Sequence, residues 1–177
     1  ALAKSKLDAA GYVGKQVMAA ESWIVWDDAG MAVDVNGDGL EDLYLCQTGG
    51  LPNRLLLHQP DGTVRDASAQ AGIDFLDQTY SALLIDADND GDQDLLLAMA
   101  KTVLLLENDG AGRFELVHQL AGVNQPHSMS AADYDLDGDL DICVCGYNPG
   151  GESAGEFPVP MPMYDARNGG RNALFRN

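Results

Sequence analysis

Oxygen-bearing side chains recur in this sequence at a fixed spacing, and the spacing points to one kind of chemistry. Three segments align without gaps: Asp34-Val-Asn-Gly-Asp-Gly-Leu-Glu-Asp42, Asp86-Ala-Asp-Asn-Asp-Gly-Asp-Gln-Asp94 and Asp133-Tyr-Asp-Leu-Asp-Gly-Asp-Leu-Asp141. All three fit the pattern D-x-[DN]-x-D-G-x-x-D. In a tight loop, side chains 1, 3 and 5 turn inward together, and glycine at position 6 permits the sharp turn. Position 7 can offer its backbone carbonyl, which leaves its side chain free to vary, as Leu40, Asp92 and Asp139 do. Position 9 returns a last carboxylate. With water, such a loop supplies six or seven oxygens to a hard cation. A dense protein cage suits Ca²⁺ better than Mg²⁺, which keeps its waters and a strict octahedron. No Cys or His lies inside the loops, which argues against zinc.

The charge distribution points the same way. The 177 residues include 28 acidic and 10 basic side chains, a net charge of −18. Fourteen of the acidic residues fall inside the three loops, less than a sixth of the chain. Carboxylates crowded this way repel one another unless a cation sits between them. The same imbalance argues against nucleic-acid or anionic-membrane partners, which require Lys/Arg clusters. An EF-hand opens with a similar consensus, but it needs a bidentate Glu at position 12 and flanking helices. Position 12 here is Leu45, Leu97 or Val144, and the flanks read as strands, so an EF-hand is excluded.

The elements that must position these loops repeat as well. The loops start 52 and then 47 residues apart, a period that suits one four-stranded propeller blade. A short strand-like run precedes each loop: Met31–Val33, Ser81–Ile85 and Ser128–Ala132. An apolar run follows each: Leu43–Cys46, Leu95–Ala98 and Ile142–Cys145. In the first two units a third run (Arg54–His58, Val103–Glu107), a turn and a fourth run (Thr63–Arg65, Arg113–Val117) complete the pattern. Short apolar runs between Gly/Asn/Asp turns read as antiparallel strands. The expected fold is all-β: a partial β-propeller of about three four-stranded antiparallel blades, with repeat units at about 22–72, 73–122 and 123–177. Residues 1–21 read as an Ala-rich N-terminal segment, either a helix or the remnant of an earlier blade, and Ser22–Trp26 as a strand. The third unit is interrupted by a long Gly/Pro-rich loop at 146–167. Strand character returns at Asn172–Asn177, which parallels Asn53–Leu57, and the chain stops before a fourth strand.

The loops and their strand flanks resemble the FG-GAP/VCBS repeats of integrin α-subunit heads and many bacterial surface proteins. Pro52-Asn-Arg-Leu55, Asp61-Gly-Thr-Val-Arg-Asp66 and Ala71-Gly72 resemble more specifically the cartilage-acidic-protein and UnbV-like branch. The resemblance covers about residues 22–145 and 168–177. It implies a Ca²⁺ ion in a hairpin of each blade, on the propeller rim, hence three sites. The first would use Asp34, Asn36, Asp38, the Leu40 carbonyl and Asp42. The second would use Asp86, Asp88, Asp90, the Asp92 carbonyl and Asp94, and the third Asp133, Asp135, Asp137, the Asp139 carbonyl and Asp141. Asn36 removes one ligand charge from the first site, which is therefore expected to bind weakest. Family propellers usually have seven blades, so this chain is expected to be completed by further blades of a parent protein or by a second copy.

The remaining motifs read as structural. Gly151-Glu-Ser-Ala-Gly155 matches a nucleophile elbow, but Pro-rich sequence follows where that motif requires a helix. His58, His118 and His127 are scattered. Cys46, Cys143 and Cys145 read as small buried apolar residues, and Cys143 and Cys145 are too close in sequence for an easy disulfide. No apolar run reaches transmembrane length. The resemblance implies a non-enzymatic module for adhesion, scaffolding or protein or glycan recognition. The alternative is part of a polysaccharide-acting enzyme such as a lyase. Loops of this type suit millimolar Ca²⁺, hence an extracellular, cell-surface or periplasmic location.

Overall fold

The computed structural model describes residues 30–47, 49–146 and 170–177. Three antiparallel sheets follow one another along the chain, one for each acidic loop. The first comprises β1 (Gly30–Val33), β2 (Asp42–Leu45), β3 (Arg54–His58) and β4 (Val64–Asp66) in sequential order. A one-turn helix, α1 (Ser68–Ala71), leads to the second sheet: β5 (Thr79–Ile85), β6 (Asp94–Met99), β7 (Thr102–Asn108) and β8 (Phe114–Leu120). The third contains β9 (Pro126–Ala132), β10 (Asp141–Gly146) and β11 (Ala173–Phe175), in the order β11-β10-β9. The expected strand, loop, strand, turn, strand, turn, strand unit is present in the first two sheets. The described residues are nearly all β, as expected of a partial β-propeller.

The second sheet is buried because it lies between the first and the third. In β6 every side chain from Asp94 to Met99 is buried. Leu95, Leu97 and Met99 face the first sheet and pack with Tyr44, Leu55 and Leu57. Leu96, with Val103, faces the third sheet and packs with Ile142 and Val144. A strand covered on both faces cannot alternate apolar with polar residues, which accounts for the unbroken run Leu95-Leu-Leu-Ala-Met99. The short helix ends where Gly72 adopts a left-handed conformation at φ 78° and donates its N–H to the Ser68 carbonyl. A Cβ at Gly72 would also lie 3.3 Å from the Phe114 carbonyl, so this turn brings the first sheet against the second. Asn53 fixes the same junction. It is fully buried, accepts the Gln47 N–H at 2.7 Å and donates to the Thr79 hydroxyl at 2.9 Å. Its expected counterpart Asn172 accepts the Gly146 N–H at 3.3 Å, and β11 pairs with β10 as β3 pairs with β2.

The cysteines differ from expectation. Cys145 is exposed and Cys46 and Cys143 are half-buried, none of them disulfide-bonded. In β10 the side chains of Cys143 and Cys145 alternate with those of Ile142 and Val144, which take the face packed on the second sheet. The N-terminal segment at 1–21, the 22–26 run, all but the first residue of the 146–167 loop and the Gly151–Gly155 motif lie outside the described residues.

Candidate metal centres

The three acidic loops connect β1 to β2, β5 to β6 and β9 to β10, and they fold alike. Position 6 is left-handed in each, with φ of 82° at Gly39, 98° at Gly91 and 99° at Gly138. Position 4 is left-handed too, at Gly37, Asn89 and Leu136, although only the first is a glycine. This double reversal turns the backbone N–H groups inward. The position 1 carboxylate accepts the position 6 N–H: Gly39 to Asp34 at 2.8 Å, Gly91 to Asp86 at 3.1 Å and Gly138 to Asp133 at 3.2 Å. The position 5 carboxylate accepts the position 7 N–H, from Leu40, Asp92 and Asp139 at 2.8, 2.9 and 3.1 Å.

Position 9 has a role that its sequence pattern does not disclose. Asp42, Asp94 and Asp141 are all buried, at 1%, 0% and 2% exposure. One carboxylate oxygen of each accepts the position 2 N–H of its own loop, from Val35, Ala87 and Tyr134 at 3.2, 2.9 and 3.0 Å. The other accepts an N–H at or just beyond the end of the third strand, from His58, Asn108 and Asn177 at 2.8, 2.9 and 3.1 Å. Position 9 therefore closes the loop onto the sheet. Burial holds the Asp42 and Asp94 carboxyls above the usual carboxylate range, against the pull of these backbone N–H groups, and neighbouring loop carboxylates add to the rise. Asp92 is raised as well, by desolvation and then by Asp90, Asp86, Asp109 and Asp88.

The predicted ligand residues converge to different degrees. In the second loop, one oxygen from each of Asp86, Asp88 and Asp94 lies within 4.8 Å of the other two. In the third loop the same holds for Asp133, Asp135 and Asp137. Asp90 and Asp141 stand outside these trios, and the first loop, with Asn36 at position 3, forms none among the described residues. Two like charges about 4 Å apart repel by about 1 kcal/mol in water and about 4 kcal/mol at an effective dielectric of 20, so such trios call for a counter-charge. At the third loop part of it comes from the Arg176 guanidinium, which pairs with Asp135. At the second loop one oxygen of Asp86 is buried without a hydrogen-bond partner. A buried carboxylate oxygen without a donor is costly, and a cation among Asp86, Asp88 and Asp94 would satisfy it.

The second and third loops also touch. Asn89 of the second donates to the Asp139 carboxylate of the third at 2.7 Å. All three thus line one edge of successive blades. Outside this edge, His127 stacks on Tyr80 with ring centroids 4.3 Å apart, joining the second and third sheets. His58 and His118 lie on strands β3 and β8.

Consecutive antiparallel sheets stacked face to face, each with an acidic hairpin at the same edge, define a β-propeller-type repeat protein. The family model for the FG-GAP-like repeat matches residues 34–97 and 86–144, more than half of the chain, and the chain belongs to that family. No individual curated protein matches it. Repeats of this family are generally non-catalytic and typically occur in extracellular or surface proteins. No helix among the described residues is long and apolar enough to cross a membrane.

Proposed function

We propose that the chain is a calcium-binding β-propeller module in which the ions are structural and the assembled blades present a surface for protein or glycan recognition outside the cytoplasm. The observation that carries the calcium assignment is the second loop. Three carboxylates converge there around a buried oxygen that no hydrogen bond satisfies. The groups that would hold the ion are Asp86, Asp88 and Asp94, with Asp90 and the Asp92 carbonyl available beside them. Asp133, Asp135 and Asp137 would serve the third loop, with Asp139 and Asp141 alongside, and Asp34, Asn36, Asp38, Leu40 and Asp42 the first. The ion would supply charge neutralisation and would cross-link the two ends of each hairpin. All these donors are oxygens, which favours calcium over softer metals. Calcium titration calorimetry on the chain tests the proposal. Saturable binding approaching three ions per chain, not displaced by millimolar magnesium, is expected. Absence of binding at millimolar calcium would refute it.

Adhesion, scaffolding or recognition is supported by the family, and an extracellular, cell-surface or periplasmic location by the match between open acidic loops and abundant calcium. A further blade, from a parent protein or a second copy, is the partner that fits the far face of the third sheet. Position 2 of the first two loops is covered by the next blade, with Val35 at 3% and Ala87 at 6% exposure, whereas Tyr134 in the third is 71% exposed. Leu174 of β11 is 47% exposed, although its counterpart Leu55 is buried.

A further inference from the structure

In the second and third blades, the residue at or just beyond the end of the third strand carries two different bonds. Its backbone N–H serves its own blade, as the donor to the position 9 carboxylate. Asn108 N–H bonds Asp94 at 2.9 Å, and Asn177 N–H bonds Asp141 at 3.1 Å. Its side chain also reaches the preceding blade. The Asn108 amide donates to the Val35 carbonyl at 2.8 Å, 73 residues earlier in the chain. The Asn177 amide donates to the Ala87 carbonyl at 2.7 Å, 90 residues earlier. Val35 and Ala87 occupy position 2 of the first and second acidic loops, between the predicted ligand side chains at positions 1 and 3: Asp34 and Asn36 in the first, Asp86 and Asp88 in the second. The same geometry therefore occurs twice, at successive blade boundaries.

The Asn108 contact is well supported. Asn108 is 6% exposed, its oxygen accepts the Gly112 N–H at 3.1 Å, and its second amide hydrogen reaches the Gln93 carbonyl at 3.1 Å. The turn it opens lies against the first loop, because a Cβ at Gly112 would meet Val35 and Asn36 at 3.6 Å. At the equivalent position of the first blade stands His58, which makes the backbone bond to its own Asp42. The backbone bond thus occurs in all three blades, and the asparagine side-chain bond at both described blade boundaries.

We propose that Asn108 and Asn177 are positioning residues that set the conformation of the acidic loop in the preceding blade. Each calcium loop is then a device shared between two blades, and occupancy of one loop strengthens the boundary with the next. The coupling to calcium rests on the loops being calcium sites, whereas the clamp itself does not. A merely structural asparagine would disturb its own blade first. A positioning residue disturbs the neighbour's loop more than its own.

The test is ¹⁵N NMR on the full chain, comparing the parent with Asn108→Ala and with Asn177→Ala, in chelator and during calcium titration. In chelator, Asn108→Ala is expected to lower the heteronuclear NOE of residues 35–40 more than that of residues 87–92, because the second loop loses only the amide bond to the Gln93 carbonyl and keeps both Asp94 bonds. On titration it should weaken calcium at the first loop about tenfold, the scale of one lost buried hydrogen bond, and the second loop by a smaller factor. Asn177→Ala, at an exposed residue, should loosen residues 87–92, weaken the second loop and spare the third. Equal changes in all loops, a change confined to the variant residue's own blade, or no change in either variant would overturn the clamp. If the parent itself shows no calcium response, calcium binding fails, and the NOE pattern in chelator still decides the clamp.

Discussion

Asp94 holds the second loop onto its sheet whether or not a cation is present, because its two oxygens accept the N–H groups of Ala87 and Asn108. Replacement by Ala leaves both groups without an acceptor in a buried site, each at a cost of about 1–3 kcal/mol. Asp94→Ala is therefore expected to lose at least about 2 kcal/mol in urea unfolding even in chelator, whereas Asp90→Ala, which removes an exposed carboxylate, should change that value little. A second prediction concerns rank among the sites. Asn36 leaves the first loop with one ligand charge fewer, so it should fill last, and Asn36→Asp should raise its affinity. Titration showing the first loop filling before the others in the parent would contradict this. The third loop carries the opposite perturbation. Arg176 pairs with Asp135, and a fixed cation beside a metal site repels the ion it must admit. Arg176→Ala should accordingly tighten calcium at the third loop, by a modest factor because the arginine is 66% exposed.

At the scale of elements, the strands were legible in sequence because their neighbours are also strands. Leu95–Met99 could be read as a strand from its length and bounding turns, and its lack of alternation follows from cover on both faces. Leu97→Ala should cost about 2–5 kcal/mol, since Leu97 sits in the cluster that joins the first two sheets. Glycine at position 6 was legible for the same local reason, a left-handed turn. Position 9 was legible only in part. The sequence places a carboxylate after each loop, but its second acceptor bond comes from a strand that returns 14 to 36 residues later, so it depends on tertiary register. Asn108 read as the start of a turn, and nothing local indicates that its amide reaches back to Val35. The hydroxyl of Ser68 was likewise hidden. It accepts the buried Leu55 N–H at 2.9 Å and donates to Asp66, whose other oxygen pairs with Arg54 at 2.7 Å. Ser68→Ala should leave the Leu55 N–H unsatisfied and cost about 1–3 kcal/mol, measured by thermal or urea unfolding. The cysteines misled because burial depends on which blade faces them. Cys145 sits on the far face of the third sheet, the face that has Tyr134 and Leu174 exposed as well.

For the whole molecule, the acidic loops form a common edge whose repulsion must be offset. The net charge of −18 makes that repulsion collective, and half of the acidic groups sit in the three loops. Without calcium, added monovalent salt should stabilise the chain by screening this edge, and the effect should shrink once calcium is bound. The clamps and the bond between Asn89 and Asp139 make neighbouring loops respond together. Calcium should therefore stabilise the stack of blades and not only single hairpins. Thermal unfolding in calcium, in magnesium and in chelator tests this most directly. A ligand that binds only the folded state stabilises it by about 2.7 kcal/mol at a hundredfold excess over Kd. A Tm higher by several degrees in calcium than in chelator, with little effect of magnesium, is the predicted result. Equal Tm values in all three conditions would contradict the assignment of the loops as structural calcium sites.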